Sequence, residues 1–407
     1  MVMAKQGAST ALPRLRFPEF RGTGEWEEKK LDGCLDYQQP TKYLVSETSY
    51  NDSYKTPVLT AGKTFILGYT NETRGIFSQG LPVIIFDDFT TASKFVDFPF
   101  KAKSSAMKIL QAKDGANIKF MYETMQMISY EVGAHERHWI SKFAPMPVLV
   151  PHPIEQKRIA DCLTSLDEVI AAQGRKVQAL KIHKRGLMQQ LFPRECETQP
   201  RLRFPEFRNA SEWQRVPLGE IAEIKLGKML DANKHTSGQL LPYINNISLR
   251  WNDVDTSNLP QMYFNEGELE RYGLREGDVL VCEGGEPGRS AVWDGRLPDM
   301  KFQKAIHRVR FRGPFVPKIL VLYMEAIAGT TAFESLFTGG GIKHLTRETF
   351  AKLTIPLMSL IEQQRMADCF SSLDTQIAAE ANQLAALKTH KQGLMQQLFP
   401  APETAGA

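Results

Sequence analysis

The sequence predicts an α+β protein organised as a pseudo-twofold repeat: two mixed α/β bodies separated by two long helices forming an antiparallel coiled coil. Three observations predict it. The octapeptide PRLRFPEF stands at residues 13–20 and again at 200–207. A segment beginning at Ile154 (IEQKRIADCLTSLDEVIAAQGRKVQALKIHKRGLMQQLFP) returns without a gap from Ile361, 207 residues later (IEQQRMADCFSSLDTQIAAEANQLAALKTHKQGLMQQLFP). Within both copies apolar residues recur at alternating spacings of three and four, the signature of helices pairing along a seam.

Repeats of this kind decide the architecture before any single element does. The first echo is offset by 187 residues and the second by 207, so the second body is 20 residues longer than the first. The bodies share no sustained identity; the flanks stayed alike while the middles diverged. The chain divides into an N-terminal tail (1–12), a lead-in segment with the first body (13–152), a first helix (153–193) and a linker (194–199). A second lead-in and body (200–356), a second helix (357–400) and a C-terminal tail (401–407) follow.

Length agrees with this plan, since 407 residues is a prior of two to three domains of about 150 residues each. A chain that is 42% hydrophobic and 24% charged is not disordered throughout. Five scattered cysteines with no C-x-x-C pair argue against a disulfide framework or a cysteine-rich zinc site, and point to a reducing cytoplasm. The richest apolar run, Ile319 to Ala328, is broken by Glu325 and falls short of the roughly 18 residues of a membrane span. The first ten residues lack the apolar stretch of a signal peptide. A net charge of +4 and a pI of 8.6 permit a nucleic-acid partner without demanding one.

The helices carry the clearest pattern. In the first copy the seam is Leu163, Leu166, Ile170, Gln173, Val177, Leu180, Lys184, Leu187 and Leu191. In the second it is Phe370, Leu373, Ile377, Glu380, Leu384, Leu387, Lys391, Leu394 and Leu398. Thirty residues at 1.5 Å rise make a rod of about 45 Å, and the closing Leu-Phe-Pro stops each helix. Polar residues at matched seam positions (Gln173 and Glu380, Lys184 and Lys391) fix register at some cost in stability.

Strand-like runs fill the bodies, at 58–69 and 81–89 in the first and at 277–284 and 306–313 in the second, where a helix is expected from Lys318 to about Ala328. Proline-bearing extended segments, 145–153 and 353–360, lead into the helices.

Catalytic constellations are missing. Ala61-Gly62-Lys63-Thr64 is no Walker loop, because Pro57 stands where the opening glycine belongs; His135-Glu136-Arg137-His138 has the wrong spacing for two imidazoles one turn apart on a helix. Gly339-Gly340-Gly341 fits no dinucleotide fingerprint, and neither a nucleophile elbow nor an amino-methyltransferase N/D-P-P-F/Y motif is present. Asp87-Asp88 is a pair of acids at a strand end, a routine place for them.

Cations are the remaining signal. KFQKAIHRVRFR (301–312) holds Lys301, Lys304, Arg308, Arg310 and Arg312 and no acid. On a strand the three arginines share one face while Val309 and Phe311 take the other, which is expected to present a guanidinium stripe to phosphate or to guanine edges. A solvated strand face is the plainer reading. Lys343, His344 and Arg347 follow a glycine run, and Arg289 sits on the Glu286-Pro287-Gly288 turn. Arg74, Lys94, Lys101 and Lys103, with Lys108 beyond them, are the corresponding candidates in the first body.

PRLRFPEF followed by Trp213 and Leu218-Gly219-Glu220, a variable body, and then IPL, EQ-x-R, LD and LK-x-H-K-x-GLMQQLF resembles the specificity (S) subunit of type I restriction-modification systems. The resemblance spans roughly residues 13 to 400; Leu31-Asp32-Gly33 departs from it in the first lead-in. It implies two target-recognition domains, each reading one half of an asymmetric bipartite site on double-stranded DNA, with the helices setting the spacer. It also implies no catalysis by this chain and no cofactor bound to it. Two methyltransferase (M) subunits would dock on the helices carrying S-adenosylmethionine for adenine-N6 methylation, and restriction (R) subunits would bring ATP and Mg²⁺. The alternatives are the specificity subunit of a motor-less two-component methyltransferase-nuclease, and a coiled-coil scaffold that binds no DNA.

Overall fold

The computed structural model describes residues 12–400 apart from 61, 63, 131–136, 195–196, 231–236 and 340–342. Residues 1–11 of the N-terminal tail, the C-terminal tail, residues 340–341 of the glycine run, and parts of the Ala61-Gly62-Lys63 and His135-Glu136 strings therefore lie outside the described residues. The chain forms two compact units. One comprises the residues up to Gly174 together with those from Asn382; the other runs from Arg175 to Ala381.

In the first unit β1 (Glu27–Lys30) leads through the one-turn α1 (Leu31–Cys34) into β2 (Leu35–Gln38). The run 58–69, read above as one strand, is two: β3 (Thr56–Leu59) and β4 (Ile66–Thr70), an antiparallel pair. Then come β5 (Val83–Asp87), β6 (Ser93–Val96), β7 (Lys101–Ala102), β8 (Met107–Ala112) and α2 (Ile118–Gln126), which Asn117 caps by accepting from the Phe120 N–H. After β9 (Pro147–Val150) the chain enters α3 (Pro153–Leu191). The strands make a four-stranded sheet in the order β2-β8-β5-β6 and a three-stranded one in the order β4-β3-β7, while β9 returns to pair with β1. Val83 to Phe86 are completely buried, because this central strand is covered on both faces. Ile84, Phe86 and Leu110 face α2; Val83, Ile85 and Ile109 face the second sheet.

The second unit holds β10 (Gln214–Pro217), α4 (Leu218–Ile221), β11 (Ala222–Leu226) and β12 (Gln239–Ile244), then a small hairpin of β13 (Leu249–Arg250) and β14 (Asp253–Val254). Next are β15 (Gln261–Phe264), α5 (Glu266–Arg271), β16 (Val279–Cys282), β17 (Ser290–Val292), β18 (Lys301–Phe302) and β19 (Ile306–Phe311). It ends with α6 (Pro317–Ile327), α7 (Thr331–Glu334), α8 (Arg347–Lys352), β20 (Thr354–Leu357) and α9 (Leu360–Leu398). Its sheets, β11-β19-β16-β17 and β15-β12-β18, with β20 against β10, repeat the topology of the first unit strand for strand, including the parallel pairs β12–β18 and β3–β7. Bodies with no sustained sequence identity thus share one topology. The additional length of the second lies partly in β13–β14 and α5.

Each long helix contributes to both units. In the first unit the α3 segment Pro153–Gly174 packs beside the end of α9: Leu163 joins Met395, Leu398 and Phe399 in one core, and Asp167 meets Lys391. In the second, Met188 and Leu191 near the end of α3 join Met366 and Phe370 near the start of α9, and Lys184 meets Asp374. As one helix ascends the other descends, so the segments are antiparallel within each unit. Every seam residue named above is buried or half-buried. Arg16 and Arg203, one in each octapeptide, clamp Glu155 and Glu362 at 2.7 Å. None of the described helices is long and apolar enough to cross a membrane.

Candidate nucleic-acid interface

Strand β19 alternates as its sequence requires. Val309 packs with Val279 and Val281 against the helical core; Arg308 and Arg310 take the opposite side. That side is not solvent. It faces the space between the two sheets, where Ile306, Leu280, Cys282 and Phe302 are buried. Arg308 is 2% exposed, donates to the carbonyls of Gly273 (2.8 Å) and Arg271, and lies over the Phe302 ring. Burial lowers its pKa. Arg310 makes a bidentate pair with Asp278, both bonds 2.7 Å, which raises its pKa. Arg312 is exposed but donates to the carbonyls of Gly219 and Glu220. The expected guanidinium stripe is therefore corrected. These side chains tie β19 to the 271–278 loop and to α4, because the second sheet covers the face that alternation alone left open.

Three other candidates, Lys101, Lys108 and Lys301, are also interior. Lys101 is 3% exposed, pairs with Glu72 at 2.6 Å and donates to the Arg74 carbonyl at 2.7 Å. Lys301 is buried, and that burial lowers its pKa. None of the three reaches phosphate as the fold stands. Lys103 is half-buried above the Tyr50 ring, and Lys94 and Lys304 are half-buried. Asp87 and Asp88 are likewise structural. Asp87 accepts the N–H groups of Phe89 and Thr90 in a turn, whereas Asp88 pairs with buried Lys108 and accepts the Trp139 N–H. No group of His, Cys, Asp and Glu among the described residues is placed to hold a metal ion.

The structure brings one set of candidates together. The 283–289 turn, the 245–248 turn and the segment 343–347 meet at one end of the β16–β19 pair. Arg289 bridges the first two, donating to the Asn246 carbonyl and to Glu286. A Cβ on Gly284 would lie 3.2 Å from His344 Nδ1, and one on Gly285 the same distance from Asn246 Nδ2, so the loops approach each other closely at these two glycines. His344 and Arg347 are exposed, and Lys343 pairs with Glu334. Ile247, held outward by an Asx turn in which Asn245 accepts the N–H groups of Ile247 and Ser248, is 71% exposed. Sequence reading missed Asn246 and Ile247; an Asn-Asn pair after an apolar strand was the signal. In the first unit only Arg74 among the candidates is exposed, on a turn completed by Gly75 at φ +64°.

A concavity of about 630 Å³ opens beside the end of α3 between Phe192, Tyr323, Phe333, Arg194, Arg215 and Lys352. It holds no acid–base constellation.

Comparison with known proteins gives this fold a family. A family profile described as Type I restriction modification DNA specificity domain matches residues 210–389. The chain is 32% identical over 376 residues to the Type I restriction enzyme EcoR124I/EcoR124II specificity subunit of Escherichia coli, covering 86% of this chain and 89% of that protein. It is 24% identical over 268 residues to the Type I restriction enzyme MjaVIII specificity subunit of Methanocaldococcus jannaschii, covering 63% and 62%. A crystal structure of a type I restriction-modification S subunit from M. genitalium has the same fold, with a TM-score of 0.58 at 15% identity over 96% of this chain and 99% of that one. The chain belongs to the family of type I restriction-modification specificity subunits.

Proposed function

We propose that this chain supplies DNA sequence recognition to a type I restriction-modification complex, each body reading one half of an asymmetric two-part target on double-stranded DNA. The observation that carries this is the pairing of one topology, repeated strand for strand, with bodies that share no sustained sequence identity. Conserved topology places two readers alike; divergent loops give them different half-sites. Recognition in the second body is assigned to Arg289, Asn246, Ile247, His344, Lys343 and Arg347, and in the first to Arg74 with Lys94 and Lys103. A phosphate reaching Arg289 or Lys343 competes with Glu286 or Glu334 for the cation, so these contacts are salt-sensitive.

The long helices act as the spacer, a coiled coil of the kind the seam describes, and as the dock for two methyltransferase subunits. Restriction subunits complete the assembly in the cytoplasm. S-adenosylmethionine belongs to the methyltransferase subunits and ATP with Mg²⁺ to the restriction subunits. This chain performs no catalysis; its residues bind, orient and space the DNA.

Single-molecule methylome sequencing of cells expressing the chain with its methyltransferase subunit tests the reading. A two-part asymmetric motif with adenine methylation is expected. Exchanging residues 32–152 for the body of a related chain should change one half-site and keep the other; a change in both refutes independent recognition.

A further inference from the structure

Both bodies meet the helices through the same four charges. In the first unit Lys391 of α9 donates to Asp167 of α3 (2.7 Å) and to Glu123 of α2 (3.0 Å), while Lys119 of α2 bonds the same two acids at 2.7 Å each. In the second unit Lys184 of α3 meets Asp374 of α9 (2.8 Å) and Glu325 of α6 (3.1 Å). Lys318 of α6 reaches Asp374 at 3.2 Å, and Asn252 links Lys318 to Glu325.

Two members, Lys184/Lys391 and Asp167/Asp374, are the same positions in the two helix copies. The other two lie in bodies that share no sustained identity. Even so, each body places a lysine in the first turns of its helix and a glutamate one or two turns later, at Lys119 with Glu123 and Lys318 with Glu325. Glu123 is fully buried, and one of its carboxylate oxygens has no hydrogen-bond partner.

Drawing four charges out of water, with Glu123 and Lys184 buried and the others half-buried, is a poor way to gain stability, because apolar residues of similar volume do as well or better. What charges supply is direction. A lysine bonded to acids on two different helices tolerates little sliding or rotation, whereas an apolar contact tolerates both.

We propose that the quartets are standard joints that fix the angle and register of each recognition body on its helix pair, so that Lys119, Glu123, Asp167 and Lys391, with their second-unit counterparts, are positioning residues for spacer length. This rests on the recognition function given above. It explains why bodies that read different sequences keep these charges: a body fits the shared helices when it presents a lysine and a glutamate to the waiting aspartate and lysine.

Charge reversal tests it. Lys119→Glu with Glu123→Lys, or Asp167→Lys with Lys391→Asp, opposes like charges across the joint; all four together restore every pairing. Each variant is expressed with the unaltered methyltransferase subunit and its methylome compared with that of the unaltered chain. Either two-residue variant is expected to keep both half-sites but raise methylation at sites of altered spacing by at least about tenfold. The four-residue variant is expected to return to the original spacing. Unaltered spacing in folded two-residue variants, a changed half-site, or failure of the four-residue variant to restore the spacing overturns the proposal. If the two-residue variants are insoluble, a soluble four-residue variant with the original spacing supports it and an insoluble one overturns it. Absence of a two-part motif from the unaltered chain would refute the recognition function itself, a separate outcome.

Discussion

Replacing Arg203 by methionine strands a carboxylate in the core of the second unit. Arg203 Nε and Nη2 each lie 2.7 Å from an oxygen of Glu362, in a pair whose side chains are 10% and 1% exposed. Trp213 Nε1 at 3.2 Å remains bonded to the acid but carries no charge. Removing one partner of so buried a pair costs about 3–5 kcal/mol, chiefly the desolvation of the ion left behind. For a unit spanning Arg175 to Ala381, each kcal/mol moves Tm by roughly 2–4 °C, giving a fall of about 6–20 °C. Replacing both members, Arg203→Met with Glu362→Leu, should recover most of the loss, since no ion is then buried. That variant leaves the Trp213 N–H unpaired, a state the first unit already tolerates at Trp26. Calorimetry on the four members of this cycle decides the matter. A loss below about 1 kcal/mol for Arg203→Met, or a double variant as unstable as the single, refutes the buried-charge argument.

Three further outcomes are expected. Arg308→Met should lower thermal stability while leaving the salt slope of DNA binding unchanged, whereas Arg347→Ala should reduce that slope by about one; titrations at several salt concentrations separate the two. Burial is the largest influence on His307 and pushes its imidazole below the ordinary 6.5, opposed by the 2.7 Å bond between Nε2 and the Leu345 carbonyl. A depressed folded-state pKa makes its contribution complete above about pH 6.5 and lost as pH falls through the lower folded value, so urea midpoints of the unaltered chain should drop on acidification more steeply than those of His307→Gln. Equal slopes would sink that assignment. Gly227→Ala places a Cβ 2.2 Å from the Gln303 carbonyl oxygen, a backbone clash, and should cost about 1–3 kcal/mol or more by chemical denaturation.

The helices and the duplication were legible because they are written in residues: identical strings, and apolar spacings of three and four. The strands of 81–89 and 306–313 were legible by composition, but what covers them was not. Alternation says that Arg308 and Val309 part company; only the 271–278 loop and Phe302, distant in sequence, say that the arginine side is roofed. The common topology of the bodies was invisible for a related reason. Strand order is specified by burial and turn lengths, which many sequences satisfy, so Leu110 and Val309 occupy matching places without adjacent identity. Lys119 and Lys318 were missed because a lysine on a helix is ordinarily solvated, and their partners lie on other helices.

The division of the long helices has a consequence for the order in which the molecule forms. The second unit is one uninterrupted stretch, Arg175 to Ala381, and can close as soon as that stretch has left the ribosome. The first unit, although its body is made earlier, cannot complete its core until Met395, Leu398 and Phe399 arrive to cover Trp26, Phe120 and Leu163. At roughly 5–20 residues per second that leaves its apolar face open for about 10–40 s after α3 is synthesised. The half of the protein that is born first is finished last, and it is the half a growing chain must shield.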